Sequence, residues 1–287
     1  MVLDRELKTA VNLAQIAGRK ILEFYKSGIT AEEKIGVDNF VEPVTIADKT
    51  ASQIIVKGLR EKFPDDGVLS EEEPDNPERL TKKRVWMIDP LDGTAGFIKR
   101  DGDFAIQIGL TENREPIVGV VFLPNENLLY FASKSKGAFL VVGDSTPKQL
   151  KVSQKTDFSE INLAVSRNHY SPKMSRVVEE FAVRREIKRG SVGLKIGLIA
   201  QKICDLYIHL SPRTKQWDTC APEIILREAG GDLTDLFGEK ITYNTHNVQN
   251  FNGILASNGV THRKAVEKLR PLLTEFGRLR VKNAGQN

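Results

Sequence analysis

Cysteine and histidine are scarce in this chain: Cys204 and Cys220 are its two cysteines, and its histidines are His169, His209, His246 and His262. Neither cysteine has a second Cys or a His at metal-ligand spacing, and both lie in apolar stretches. That pattern excludes a disulfide framework and a thiolate-held metal, and gives a reduced, cytoplasmic setting as the expectation. Long apolar runs are missing too. No window approaches the roughly 18 consecutive apolar residues of a membrane-spanning helix, and Asp4, Arg5, Glu6 and Lys8 stand where a secretory signal would need an apolar core. Neither sign of charge is in large excess. The chain has 42 Lys and Arg against 38 Asp and Glu, a net +4, too little to argue for nucleic-acid binding by charge. There is also no Gly-x-Ser-x-Gly elbow, no Walker-type lysine loop and no Gly-x-Gly-x-x-Gly opening, which removes serine-hydrolase, P-loop and dinucleotide readings.

What is present is ordinary for a globular protein: 40% hydrophobic and 28% charged residues among 287, enough for a sizeable core and against wholesale disorder. Leu3, Leu7, Ala10, Val11, Ala14, Ala17, Ile21 and Phe24 recur at helical spacing and predict a first amphipathic helix ending near Gly28. A loop bearing lysine and glutamate follows, then a second helix from Thr45 through Phe63 that stops before Pro64. Phe104 to Leu110, Ile117 to Leu123, Leu128 to Ala132 and Ala138 to Val142 read as a meandering antiparallel sheet. Beyond Val152 strands and helices alternate: strands at Ile161 to Val165, around Ile187 and at Asp205 to Leu210, with helices from Ser171-Pro172 to Phe181, from Ser191 to Lys202, and from Asp218 to Gly230-Gly231. A soft boundary near 150 therefore divides the chain into 1–150 and 151–287. There is no internal repeat, and the tail 282–287 reads as disordered.

The most informative run is Trp86-Met87-Ile88-Asp89-Pro90-Leu91-Asp92-Gly93-Thr94. A short apolar strand ends in two carboxylates, Pro90 biases Asp89 to an extended conformation, and Gly93 permits close backbone approach before a helix begins at Thr94. The free N–H groups of a helix start attract an anion where Asp89 and Asp92 gather cations. Glu71 and Asp218 join this acidic set, each at the predicted end of a strand or start of a helix. The set is all oxygen, which suits magnesium, an ion that keeps waters and uses few carboxylates plus substrate phosphate oxygens. Two further stretches are compatible with phosphate or sugar recognition: Gly190-Ser191-Val192-Gly193-Leu194-Lys195, which reads equally as a plain helix start, and Ser166-Arg167-Asn168-His169. Arg184, Arg185, Lys188 and Arg189 read as a solvated face. His209, His246 and His262 read as surface or packing residues. Metal-assisted hydrolysis is the chemistry left.

Taken together, Ser70-Glu71-Glu72, Asp89-Pro90-Leu91-Asp92-Gly93-Thr94 and Trp217-Asp218-Thr219-Cys220-Ala221-Pro222-Glu223 resemble the signatures of the inositol monophosphatase superfamily of magnesium-dependent, lithium-sensitive phosphatases. Within it, the stretch from Trp217 to Leu226, the Ser-Arg-Asn-His loop and Lys195 are more similar to the 3′(2′),5′-bisphosphate nucleotidases. Those enzymes remove the 3′-phosphate from adenosine 3′,5′-bisphosphate, a product of sulfate transfer and reduction. The resemblance implies an α/β fold of alternating αβαβα layers and, commonly, a homodimer. It implies two or three Mg²⁺ ions held by Glu71, Asp89, Asp92, Asp218 and the Leu91 carbonyl. Thr94, with Glu71 and Asp48 nearby, would orient the attacking water, and the Gly93 and Thr94 backbone would hold the phosphate undergoing hydrolysis. Arg167, His169, Ser191 and Lys195 would complete the substrate site. The expected partner is a small phosphorylated molecule, with neither membrane nor nucleic acid. Inositol monophosphates are the main competing substrate, fructose 1,6-bisphosphate a distant third. A catalytically idle binder of phosphonucleotides or RNA is the alternative from another class.

Overall fold

A computed structural model describes residues 3–28, 31–36, 41–167 and 171–281, with the side chains of Val41 and Glu42 left aside. The expected tail 282–287 and His169 lie outside the described residues. Two long helices open the chain. In α1 (Asp4–Ser27) the predicted stripe is buried at Ala10, Ala14, Ala17 and Ile21, with Leu13 buried beside it, and Gly28 closes the helix through its N–H on the Phe24 carbonyl at 3.1 Å. The loop expected next is instead a hairpin, β1 (Glu32–Ile35) against β2 (Val41–Val44). Then comes α2 (Ile46–Lys62), begun by a capping box in which Thr45 accepts from Ala47 N at 3.2 Å and Asp48 accepts from Thr45 N at 2.8 Å.

The first sheet has seven strands in the order β3 (Gly67–Ser70), β4 (Arg84–Asp92), β5 (Ala105–Glu112), β6 (Glu115–Leu123), β7 (Leu128–Ser133), β8 (Ala138–Val142) and β9 (Lys148–Gln149). Only β3 and β4 run parallel, and the rest is the predicted antiparallel meander. Between β4 and β5 sits the short helix α3 (Thr94–Lys99).

The second sheet is built from β10 (Asn162–Ser166), β11 (Arg185–Arg189), β12 (Leu206–His209), β13 (Asp232–Thr234) and β14 (Ile254–Ser257), in the order β11-β10-β12-β14-β13. The helices of this half are α4 (Pro172–Phe181), α5 (Val192–Ala200), α6 (Gln216–Glu228) and α7 (His262–Glu275). Among the described residues no helix is long and apolar enough to cross a membrane.

Three hydrophobic cores show how these pieces stack. One joins α1 and α2 to the first sheet through Ile55, Leu59, Ile106 and Val120. A second holds α5 and α6 between the two sheets, with Leu194, Ile224 and Ile225 packed against Val121 and Tyr130 on one side and Ala164 and Ala256 on the other. A third joins the far face of the second sheet to α4 and α7 through Leu163, Val177, Leu255 and Leu269. The result is the expected αβαβα layering. The central layer approaches the first sheet so closely that two sheet positions carry no side chain: a Cβ on Gly109 would lie 2.5 Å from Cys220 Sγ, and one on Gly119 would lie 2.4 Å from the Ala221 carbonyl oxygen.

Candidate active site

The acidic run lies where β4 leaves the first sheet. Asp89 pairs in register with Gln107 and Asp92 with Ala105, so three steps on β4 match two on β5. That extra residue matters. In a regular strand, side chains three apart point to opposite faces, and a bulge between them restores a common side. Gly93 completes the turn at φ +101°, where a Cβ would meet the Asp103 carbonyl oxygen at 2.5 Å. The Leu91 amide donates to Asp89 Oδ1 at 3.0 Å, which fixes that carboxylate.

Asp92 is held from a different direction. Its Oδ2 accepts from Gln107 Nε2 at 2.6 Å, Ser191 Oγ at 2.5 Å and Gly193 N at 3.0 Å. The 190–195 stretch therefore turns its donors toward a protein carboxylate. Lys195 is buried, and its ammonium donates to the Ser191 carbonyl at 2.8 Å and to that of Gly190 while resting 5.0 Å from the Tyr207 ring. Burial pulls its pKa down to about 8, although Asp92 and Asp103 favour its charge. Gln107 was not foreseen as a site residue. Its signal was available, since it is a single amide inside the apolar run from Phe104 to Leu110 and is fully buried.

Asp218 comes from the central layer. Helix α6 starts two residues before the expected point, at Gln216, so Asp218 sits in its first turn and reaches back to accept from Lys215 N at 2.7 Å. Burial, followed by Asp92 and Glu71, pushes its carboxyl up to about 8. Asp89 is shifted upward by the same causes: burial first, then the charges of Glu71, Asp92 and Asp218. These carboxylates repel one another in a dry setting, so the site favours added positive charge.

Glu71 follows β3, its N–H donating to the Ile88 carbonyl at 3.1 Å. Lys34 of the β1–β2 hairpin meets it at 2.9 Å and also pairs with Glu72. Burial opposes the charge on Lys34, yet Glu71 and Glu72 outweigh it and raise its pKa. Glu72 itself is pushed up to about 7, by burial and then by Glu71. Asp48 stands at the start of α2. Its Oδ2 is taken by the cap, including Thr45 Oγ1 at 2.5 Å, while Oδ1 accepts from the Thr94 hydroxyl at 2.9 Å. The same hydroxyl lies 3.1 Å from the Leu91 carbonyl.

Arg167 is exposed beside this centre, 3.1 Å from Asp101 and 3.0 Å from Asp103. Asp103 also binds Arg189 Nε at 2.7 Å and Gly190 N at 2.6 Å, so Arg189 belongs to an ion-pair network and not to the solvated face expected for it.

Among the described residues no three His, Cys, Asp or Glu side chains form a ready-made cage for a metal ion. The chemistry of the donor set nonetheless fits magnesium. Glu71, Asp89, Asp92 and Asp218 offer only oxygen and repel one another, which suits an ion that takes oxygen ligands.

Comparison with known proteins agrees with that chemistry. The profile of the inositol monophosphatase family matches residues 3–274. A CysQ 3′(2′),5′-bisphosphate nucleotidase of Aggregatibacter actinomycetemcomitans is 35% identical over 240 residues, covering 83% of this chain and 87% of that protein. The fold is similar to that of Thermotoga maritima IMPase, with a TM-score of 0.81 at 26% identity over 95% of this chain and 100% of that one. It is also similar to CysQ from Bacteroides thetaiotaomicron, a bacterial member of the inositol monophosphatase family, with a TM-score of 0.74 at 30% identity over 88% and 97% of the two chains.

Proposed function

The chain belongs to the inositol monophosphatase family, as a metal-dependent phosphomonoesterase, and from that premise we propose that it converts adenosine 3′,5′-bisphosphate to AMP and inorganic phosphate. The observation that carries the reaction class is the gathering of Glu71, Asp89, Asp92 and Asp218 beside the Thr94–Asp48 pair. Likeness to the CysQ nucleotidases supports the nucleotide substrate.

Glu71, Asp89, Asp92, Asp218 and the Leu91 carbonyl would hold Mg²⁺, which when bound acidifies water and neutralises phosphate charge. The protein's own groups do the rest. Thr94, which donates to Asp48, would orient the water that attacks phosphorus, and Glu71 and Asp48 would be the bases for its proton. The amides of Gly93 and Thr94, free of intrahelical acceptors at the start of α3, would hold the phosphate being removed. Arg167, with about a third of its side chain in solvent, would meet the second phosphate. Ser191 and Lys195 serve that same side of the substrate by fixing the 190–193 backbone and Asp92.

Phosphate release with Mg²⁺, compared by kcat/KM between adenosine 3′,5′-bisphosphate and inositol 1-phosphate, tests the reading. A marked nucleotide preference, inhibition by lithium and loss of turnover in Asp92→Asn are expected. Preference for inositol 1-phosphate would keep the site and overturn the substrate.

A further inference from the structure

Arg79 lies in the 3₁₀ turn Pro77–Thr81, between β3 and β4, and is outside the site just described. Its side chain is 1% exposed, an unusual position for a guanidinium. All its donors are used. Nε and Nη2 fork onto Asp75 at 2.6 and 2.9 Å, Nη1 donates to Asn244 Oδ1 at 2.9 Å, and both Nη atoms reach the Thr245 carbonyl at 3.2 and 3.1 Å. The Arg79 carbonyl in turn accepts from Asn244 Nδ2 at 3.0 Å.

Each end of this bridge leads to an acidic site residue. Asp75 lies four residues along the chain from Glu71, just past the turn that Glu73 N closes on the Ser70 carbonyl at 3.4 Å, and the Glu71 amide is fixed on β4. Asn244 and Thr245 are bound by Gln216: its Oε1 accepts from Asn244 N at 2.8 Å and its Nε2 donates to Thr245 Oγ1 at 2.6 Å. Gln216 is the first residue of α6, and Asp218 stands two residues on, with Lys215 N on its carboxylate. Hydrogen bonds therefore run from Asp75, through Arg79, to the helix start that carries Asp218, and the chain between Asp75 and Glu71 carries the connection on to the first sheet.

Resting on the metal-dependent reading above, we infer that Arg79 is a positioning residue that sets the spacing of Glu71 and Asp218, and through it the affinity for the divalent cation. The physical ground is rigidity. A bidentate pair anchored on two carbonyl-side acceptors has little freedom to shift, and groups that orient metal ligands change affinity by about 10- to 100-fold when lost. A lysine at this position has one donor group where the fork needs several.

The test is Mn²⁺ binding by the full-length protein, followed by electron paramagnetic resonance of the free ion, in parallel with the Mg²⁺ activation midpoint and the substrate KM at saturating Mg²⁺. The variants are Arg79→Lys and Asp75→Asn. The second breaks the fork from its exposed side, so it remains informative if the buried substitution fails to fold. Arg263→Ala, at an exposed pair with Glu267, is the control. Mn²⁺ binding weakened about 10-fold, a Mg²⁺ midpoint raised to match, and KM within about twofold of the original are expected for both variants, with Arg263→Ala unchanged. Unaltered Mn²⁺ affinity in a folded Asp75→Asn protein, or a fall in kcat with no movement of the midpoint, would overturn the inference. Failure of the unsubstituted protein to bind Mn²⁺ would overturn the metal reading itself and the inference with it.

Discussion

Glu223 shows how one buried carboxyl makes stability depend on pH without taking part in the chemistry. It shares α6 with Asp218 but faces away from the acidic set, receiving the Tyr243 hydroxyl at 2.6 Å on one oxygen and Arg227 at 3.3 Å on the other. Cys220, Lys240 and Glu115 are the remaining titratable neighbours. Burial dominates and pushes its pKa up to about 7 from an ordinary 4.5, against the pull of Tyr243, Arg227 and Lys240. A carboxyl that binds its proton more tightly when folded contributes stability that is complete below pH 4.5 and lost as pH rises through about 7. Glu223→Gln stays neutral and still accepts from Tyr243. Its Tm relative to the original protein should therefore improve between about pH 5 and about pH 8. A Tm difference that stays constant over that range would show that Glu223 does not titrate there.

At the scale of elements, the position of α6 decides where Asp218 stands, and the sheet beneath it was kept bare for that purpose. A Cβ at position 119 would fall 2.4 Å from the Ala221 carbonyl oxygen and 2.5 Å from Ile224 Cγ2. The nearer contact is backbone, so rotamer changes cannot relieve it and the helix must lift. Gly119→Ala should cost about 1–3 kcal/mol, lower Tm by several degrees, and reduce kcat by displacing Asp218. Thermal unfolding and steady-state kinetics check this together, and an unmoved Tm with full kcat would refute the close-packing argument. Much of this layer was legible in the sequence: the helical stripe of α1, the α2 helix and the meander from β5 to β8 follow from apolar spacing alone. Other parts were not. The β1–β2 hairpin has no apolar face in Glu32–Ile35 for periodicity to reveal. The bulge that brings Asp89 and Asp92 to one side contradicts strand alternation locally, and only the register with β5 discloses it. Helix α6 was expected to start at Asp218 because aspartate is a common N-cap, whereas here it bonds back from within the first turn. Arg79 gave no signal, since its partners Asn244 and Thr245 lie 165 and 166 residues along the chain.

For the whole molecule, the central layer couples the two sheets mechanically as well as chemically. A chain of 287 residues with two large sheets invites the expectation of two halves that unfold separately. The packing argues otherwise. Ala221, Ile224 and Ile225 of α6 and Leu194, Ile196 and Leu198 of α5 belong to one continuous core with Val121, Leu123 and Tyr130 of the first sheet and Ala164, Tyr207 and Ala256 of the second. Melting either sheet alone would strip one side of both central helices, leaving fully buried aliphatic side chains in water at about 1.5–3 kcal/mol each. It would also separate Asp218 from Asp89 and Asp92, and cut the Arg79 bridge, leaving a desolvated guanidinium beside unpaired carbonyls. Each half keeps a core on its outer face, but the shared core between the sheets would be lost to both at once. Calorimetry should therefore record one transition with matching calorimetric and van't Hoff enthalpies. Mg²⁺ and phosphate product, which need residues from both sides of the seam, should move that transition upward as a unit. Two resolved transitions, with only one of them responding to Mg²⁺, would mean that α5 and α6 belong to a single half and that the seam is a docking surface instead of a shared core.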